Sequence, residues 1–171
     1  MRAILRPHMW LALTAVLTLV PCNDAQAQPL AGADLLANQE LDQRFVDGMS
    51  QKDIEKAMSC FWNSPDLILV VFDGTVFRGS ENVRKALEQM FAQFESLRLV
   101  IDEVSHIRVG DSVLAVGTAT YEMKTKDGLS QQVRERWTDV RRKVGGRWVY
   151  VLDHAHALAT PGPGASSPDN R

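Results

Sequence analysis

The sequence is poor in cysteine, has no run of basic residues and has no apolar run long enough to span a bilayer. Its 171 residues carry 19 Lys and Arg against 21 Asp and Glu, a formal net charge of −2, which argues against a nucleic-acid-binding protein. The longest apolar run, Met9 to Val20, has 12 residues, whereas a membrane-spanning helix needs about 20. The 45% hydrophobic content excludes wholesale disorder, and the length allows one domain.

Residues 1–27 have the three parts of a secretory signal peptide. Arg2 and Arg6 give a positively charged start, the apolar run follows, and Ala25-Gln26-Ala27 has the small-x-small pattern of a cleavage site. We therefore expect a mature chain that begins at Gln28 and is periplasmic or secreted, with no membrane association beyond the signal peptide.

The two cysteines have different expected roles. Cys22 follows an apolar run, as the lipidated cysteine of bacterial lipoproteins does, but Pro21 before it disfavours that cleavage. Cys60 alone remains after signal removal, so an intramolecular disulfide is excluded. Its apolar helical surroundings favour a small buried side chain over a nucleophile.

The rest of the chain is expected to form one domain. Residues 28–34 are interpreted as a flexible start, residues 35–158 as the folded unit and residues 159–171 as a disordered tail. From Thr160 onward the tail has three prolines, two glycines and no large apolar residue, too little to offset its ordering entropy.

Helices are predicted first in the domain. Apolar residues spaced four apart indicate one that ends near Gly48, and Asp53 is a plausible N-cap for a second. A third is predicted to be capped by Ser80, with an apolar stripe that continues to Phe94.

Strands are predicted around and after the third helix. A hairpin through Asp73-Gly74 joins two short strands, and a four-strand antiparallel meander follows. The predicted strands are 67–72, 75–77, 97–109, 112–126, 129–143 and 147–158. The fold class is therefore α+β, with three N-terminal helices packed on a strongly curved antiparallel sheet, because strands this long must curl and carry bulges. Such a cone has a mouth where a ligand would bind.

A set of loose motifs, in this order and spacing, carries a family resemblance. They are Gln51-Lys52-Asp53-Ile54-Glu55, Trp62, Phe72-Asp73-Gly74, residues 78–84, Arg136-x-Thr138-x-Val140, Gly145-Gly146-Arg147-Trp148 and His154. The chain resembles the SnoaL-like branch of the nuclear transport factor 2-like superfamily, which has a cystatin-like α+β cone. The resemblance covers nearly all of residues 35–158 and implies a homodimer.

Ketosteroid isomerases belong to the same superfamily, but this chain lacks the residues on which their chemistry depends. Phe45 falls where they have a first-helix tyrosine, and Val71 falls near their catalytic base. Asp139 lies near their second acidic position. Isomerase chemistry of that kind is therefore not expected.

The last predicted strand carries a histidine pair. A period of two places Trp148, Tyr150, Leu152, His154 and His156 on one face, which the resemblance implies looks into the cone. His154 is then a candidate general acid or base, or a donor to a ligand, and the alternative is a hydrogen-bonded core histidine. His156 is expected to be structural. The pair could supply two metal ligands, but no third is evident, and neither a metal nor a cofactor is expected.

The preceding strand alternates in the same way. Gln132, Arg134, Arg136, Thr138, Val140 and Arg142 share one face, and Val133, Glu135, Trp137, Asp139 and Arg141 share the other. We interpret Arg136 as pointing into the cone, either to receive an anionic ligand or to form an internal ion pair. Trp62, Phe72 and Tyr150 would wall the ligand site. The paired Glu and Asp residues do not mark an acid/base dyad.

An apolar patch is expected on the outer face of the sheet. It would comprise Val133 and Trp137 on one strand and Val149 and Val151 on the next. Its burial between two copies would give the homodimer.

Three function classes remain open. The leading hypothesis is an exported domain that binds a small, partly apolar molecule in its cone. The alternatives are an isomerase, cyclase, dehydratase or hydrolase that uses His154, and a non-catalytic association module whose cone is plugged by Trp62, Phe72 and Tyr150.

Overall fold

The computed structural model describes residues 27–159. The expected signal sequence up to residue 26 and the expected tail from residue 160 onward lie outside the described residues. Within them no helix combines the length and apolar character needed to cross a membrane. The elements in chain order are β1 Gln28–Pro29, α1 Gly32–Gln51, α2 Ile54–Met58, β2 Ile68–Val70, β3 Val76–Arg78, α3 Ser80–Gln93, β4 Phe94–Val109, β5 Ser112–Thr125, β6 Ser130–Val144 and β7 Arg147–Ala157.

The seven strands form one sheet in the order β1-β4-β5-β6-β7-β2-β3, and the α+β fold class is confirmed. Strands β4 to β7 are the expected antiparallel meander. The β2–β3 hairpin joins it through a parallel pairing of β2 with β7. Helices α1 and α3 pack against the concave side, because their apolar stripes have no other surface to cover.

The expected bulges are present and interrupt the register at three points. Two lie in β4, at Glu95 and Asp102. The third lies in β7: Arg141 and Val140 pair with Tyr150 and Leu152, so Val151 is the extra residue. After each extra residue, the side chains that follow in the strand point to the opposite face of the sheet from the one that simple alternation predicts. The bulge at Val151 therefore decides which residues of β7 line the site.

The start of the domain differs from the expected flexible segment. Gln28 and Pro29 pair with β4, Leu30 is buried, and the first helix begins at Gly32, before the expected folded unit. Leu30 explains the difference, because its backbone N–H donates to the carbonyl of His106 while its side chain joins the core.

The second helix begins as expected and the third does not. The Asp53 side chain accepts a hydrogen bond from the backbone N–H of Lys56, which confirms the N-cap. Gly79, with φ +81°, is the N-cap of α3, and Ser80 is its first residue, with its hydroxyl donated to Asn63 Oδ1. The glycine is favoured there because a side chain at this φ would be strained. Phe94 starts β4 rather than ending the helix.

Cys60 is fully buried in the core, as its sequence context predicts. Burial raises the pKa of its thiol to about 11. The thiol is therefore protonated near neutral pH and is no nucleophile.

Candidate functional site

A cavity of about 80 Å³ lies between the concave face of the sheet and helices α1 and α3. Its wall is mostly apolar. Of the described residues that line it, Phe72 has the largest exposed fraction, 40%, and so marks the opening. The polar or titratable lining residues are Asp42, Tyr121, Glu135, Asp139, Tyr150 and Asp153.

The bulge at Val151 separates the two aromatic residues of β7 from its two histidines. Trp148 and Tyr150 are buried on the concave side, as expected. His154 and His156 are exposed on the outer face, so their expected inward orientation is wrong. Their rings lie 6.2 Å apart, centroid to centroid. Asp153 and Ala155 take the places in the cavity wall that the histidines were expected to occupy.

Arg136 is also on the outer face, opposite His156 on β7, so its expected inward orientation is wrong. The structure therefore brings Arg136 and the histidines together, but outside the cone. Strand β6 alternates as predicted, without interruption. The face that points into the cavity is the one opposite Arg136, and it contributes Glu135, Trp137 and Asp139 to the cavity wall. Alternation defines two faces but does not say which one is buried, and here the buried face includes Glu135, Asp139 and Arg141.

The three expected wall residues have different positions. Phe72 and Tyr150 line the cavity, and Trp62 is not among its lining residues. Trp62 instead donates its backbone N–H to the carbonyl of Tyr150 and so connects the segment after α2 to β7. The cavity is not plugged by these three side chains.

One end of the cavity is closed by a buried polar cluster around Arg141, whose side chain has no exposed surface. Its guanidinium donates to both carboxylate oxygens of Asp139, from Nε at 2.6 Å and from Nη2 at 2.8 Å, and to Asp42 Oδ1 at 2.6 Å. Asp42 Oδ2 lies 2.8 Å from Nε2 of His106, and Tyr150 donates its hydroxyl to Asp42 Oδ1 at 3.4 Å. These groups satisfy one another, so the cluster anchors α1 to the sheet.

Asp139 is the acid of this cluster whose titration is most affected. Burial raises the pKa of Asp139 to about 6, while the guanidinium of Arg141 acts in the opposite direction. At neutral pH the carboxylate is therefore ionised and paired.

Glu135 is in a different situation from Asp139. It lies four residues earlier on the same face of β6, about 13 Å along the strand. Its exposed fraction is 6%, and no described residue forms a hydrogen bond or ion pair with its carboxylate, which is accessible from the cavity. Burial alone raises the pKa of Glu135 to about 7.

Two further groups of the wall are shifted in the same direction. Burial, followed by the charges of Asp139 and Glu135, raises the pKa of Asp153 well above its usual value. Burial, then the charges of Glu135 and Asp153, raises the pKa of Tyr121. At neutral pH Glu135 is therefore about half protonated, and the pKa values of Asp153 and Tyr121 beside it are shifted in the same upward direction.

Glu135, Asp153 and Tyr121 were not expected as site residues. A sequence signal existed: Glu135 and Asp139 share a face with Trp137 and Val133, a mixture that suits a half-apolar cavity better than solvent. The sequence analysis instead placed Arg136 in the cone and assigned Val133 and Trp137 to an outer apolar patch. Within residues 27–159, no three His, Cys, Asp or Glu side chains come together as metal ligands would.

Comparison with known proteins adds a family. The model of the SnoaL-like domain matches residues 43–151. No curated protein matches the chain.

Solved structures show the same fold. A nuclear transport factor 2-like superfamily protein from Salmonella enterica is 19% identical, with a TM-score of 0.69, over 80% of this chain and 100% of that one. A protein with a cystatin-like fold from Caulobacter vibrioides is 21% identical, with a TM-score of 0.65, over 75% of this chain and 92% of that one. A type 2 hexachlorocyclohexane dehydrochlorinase (LinA) is 15% identical, with a TM-score of 0.68, over 81% of this chain and 96% of that one. The chain therefore belongs to the SnoaL-like domain family, a branch of the nuclear transport factor 2-like superfamily.

Proposed function

We propose that this protein binds a small, largely apolar molecule in the cone. The observation that carries the proposal is an apolar cavity, open beside Phe72, into which a buried and unpartnered carboxyl group, Glu135, projects. A closed core would have no reason to keep such a group, because burying it without a partner costs free energy. Pockets that are mostly apolar with a few convergent polar groups are typical of small-molecule sites.

The cavity volume limits the size of the ligand. About 80 Å³ is roughly half of the 150 Å³ known to hold benzene in an engineered cavity. Without rearrangement the site accepts a molecule of only a few carbon atoms. A larger ligand requires displacement of a wall side chain, and Phe72 is the most exposed of those described.

The charges of the cavity wall change the expected class of ligand, which the sequence analysis inferred from Arg136. An inward Arg136 would have favoured an anionic ligand, but the buried guanidinium is that of Arg141, and Asp139 and Asp42 occupy it. Of the described residues that line the cavity none is basic. The proposed ligand is therefore not an anion.

Filling the cavity tests the proposal. Ala155→Phe adds a ring inside the wall, whereas His156→Phe adds the same ring at the neighbouring position outside it. NMR titration with isobutanol should shift the amide signals of Ala119, Ala155 and Trp137 in the wild type and the control. Ala155→Phe should abolish those shifts. Equal titration of both variants would contradict the proposal.

A second candidate function is proton transfer on the bound molecule. It is favoured by one observation, a cavity carboxyl whose pKa burial raises to about 7, so that it can both accept and release a proton near neutral pH. His154 is no longer the candidate acid or base, since it faces away from the cavity. Glu135→Gln would abolish turnover of a substrate found for the protein, whereas His154→Gln would not.

We also propose that the protein is exported and that mature protein begins at Gln28 without lipid, on the sequence pattern of residues 1–27. The intact mass of protein secreted by a bacterial host tests this. A first residue Cys22 that carries diacylglycerol would contradict it.

A homodimer through the outer face of the sheet remains a proposal, with different residues. Val133 packs against the core and Trp137 lines the cavity, so neither belongs to an outer patch. A half-buried apolar row instead crosses five strands, from Ile107 through Leu114, Val140 and Leu152 to Ile68. Such a row is a natural self-complementary contact.

Light scattering at micromolar concentration tests the dimer. Val140→Lys should give monomer, and Gln132→Lys, on the same face near the other end of β6, should not. A monomeric wild type would contradict the proposal.

A further inference from the structure

We infer that the ligand of the cone is a small amine, whose ammonium group is received by the carboxylate of Glu135. The inference rests on the proposed function and names the ligand class. Three features of the described residues support it: the unpartnered state of Glu135, the sign of the charges around it, and the aromatic rings of the wall.

Glu135 has unused hydrogen-bonding capacity. Its side chain lines the cavity at 6% exposure, and no described residue donates to it. An ionised carboxylate is an acceptor only, with room for about four hydrogen bonds. No fully buried side-chain oxygen of the described residues lacks a partner, so the carboxylate oxygens of Glu135 are accessible from the cavity. A molecule that enters the cavity can therefore donate to them, and an ammonium group supplies three N–H donors and the compensating charge.

The titratable groups that face the cavity with Glu135 are all acids or phenols, and none carries a positive charge. From α1 comes Asp42, from β5 Tyr121, from β6 Asp139, and from β7 Tyr150 and Asp153. Arg141 neutralises Asp139 and Asp42 at the closed end, but nothing basic among the described lining residues accompanies Glu135 or Asp153. The field in the cavity thus favours a cation and disfavours an anion.

Aromatic rings complete the environment of an ammonium group. The described wall contains Phe45, Phe61, Phe72, Tyr121, Trp137 and Tyr150. The faces of aromatic rings attract a desolvated cation. Their area also covers the hydrocarbon part of an alkylamine.

A neutral carbonyl compound is the competing ligand, because a protonated Glu135 could donate to its oxygen. The two ligands have opposite pH dependence. An alkylamine stays protonated up to about pH 10 and needs Glu135 ionised, so its affinity should fall as the pH falls through about 7, where Glu135 titrates. A carbonyl ligand needs Glu135 protonated, so its affinity should fall as the pH rises through that value.

The experiment compares four probes of similar branched carbon skeleton: isobutylamine, isobutanol, 3-methyl-2-butanone and isobutyrate. Dissociation constants are measured by NMR titration at pH 5.5 and pH 8.5 for the wild type, Glu135→Gln and Glu95→Gln. Glu95 is an exposed carboxylate paired with Lys124 and serves as the matched control. Thermal unfolding of each variant confirms that it is folded.

The expected result is that isobutylamine binds about tenfold or more tightly than isobutanol at pH 8.5, the equivalent of one charge-assisted hydrogen bond. Glu135→Gln should remove that preference and the pH dependence, while Glu95→Gln should keep both. Tighter binding of the ketone, or an amine preference that survives in Glu135→Gln, would overturn the amine inference and leave the proposed binding function standing. Failure of all four probes to shift any cavity amide would overturn both.

Discussion

Asp139 and Asp153 lie directly opposite each other on the antiparallel strands β6 and β7, and both line the cavity. Arg141 binds the carboxylate of Asp139 through two hydrogen bonds and so keeps it ionised at neutral pH. Burial and then the neighbouring charges of Asp139 and Glu135 raise the pKa of Asp153 well above its usual value. Of these two facing acids, Asp139 is the one that the guanidinium binds, and the pKa of Asp153 is raised by burial and by its acidic neighbours.

The buried acid of Glu135 should make stability depend on pH. Its folded pKa, about 7 because of burial, lies above the ordinary 4.5. The contribution of Glu135 to stability is therefore fully present below about pH 4.5 and is lost as the pH rises through 7. Glu135→Gln should raise the free energy of unfolding at pH 8.5, by up to a few kcal/mol, and the gain should vanish near pH 4.5. Urea unfolding at both pH values measures this; a variant less stable than wild type at pH 8.5 would contradict it.

Arg141 and Arg136 lie on opposite faces of β6 and should respond very differently to substitution. Arg141→Met leaves Asp42 and Asp139 as uncompensated buried acids, which should cost about 3–5 kcal/mol of unfolding free energy. Arg136→Met changes an exposed side chain and should stay within about 0.5 kcal/mol. Urea unfolding of both variants is the measurement. Equal losses would mean that the faces of β6 are assigned wrongly.

The fold was predictable from the sequence because its elements have strong local signals. The apolar stripe of α3, the cap at Asp53 and the short turns of the meander each specify an element without reference to the rest of the chain. The meander order then follows, because short turns leave antiparallel neighbours as the only arrangement.

The site was not predictable in the same way. The face of β7 that carries His154 depends on one extra residue, Val151, and no local pattern marks a bulge there. The orientation of β6 depends on whether charged residues can be buried. Asp139 and Arg141 are buried because they pair with each other and with Asp42 on α1, a contact between residues about 100 positions apart.

Gly117 should be essential to the position of Trp137 in the cavity wall. A Cβ at Gly117 would lie 2.4 Å from the carbonyl oxygen of Glu103 and 2.7 Å from Trp137 Cζ2. Gly117→Ala should therefore displace the indole and destabilise the protein by about 1–3 kcal/mol. Thermal unfolding and the NMR signal of the Trp137 indole N–H measure both effects. An unchanged unfolding temperature and indole signal would contradict the close packing of these strands.

The central claim is that a small molecule binds inside the cone, and it is tested most directly by locating the protein groups that contact a bound probe. Intermolecular nuclear Overhauser effects can be recorded between the methyl groups of bound isobutanol and those of the protein. The account predicts effects to Ala119 and Ala155, on the cavity wall. Effects to Val46 and Val104 instead, in the open groove between α1 and β4, would contradict it.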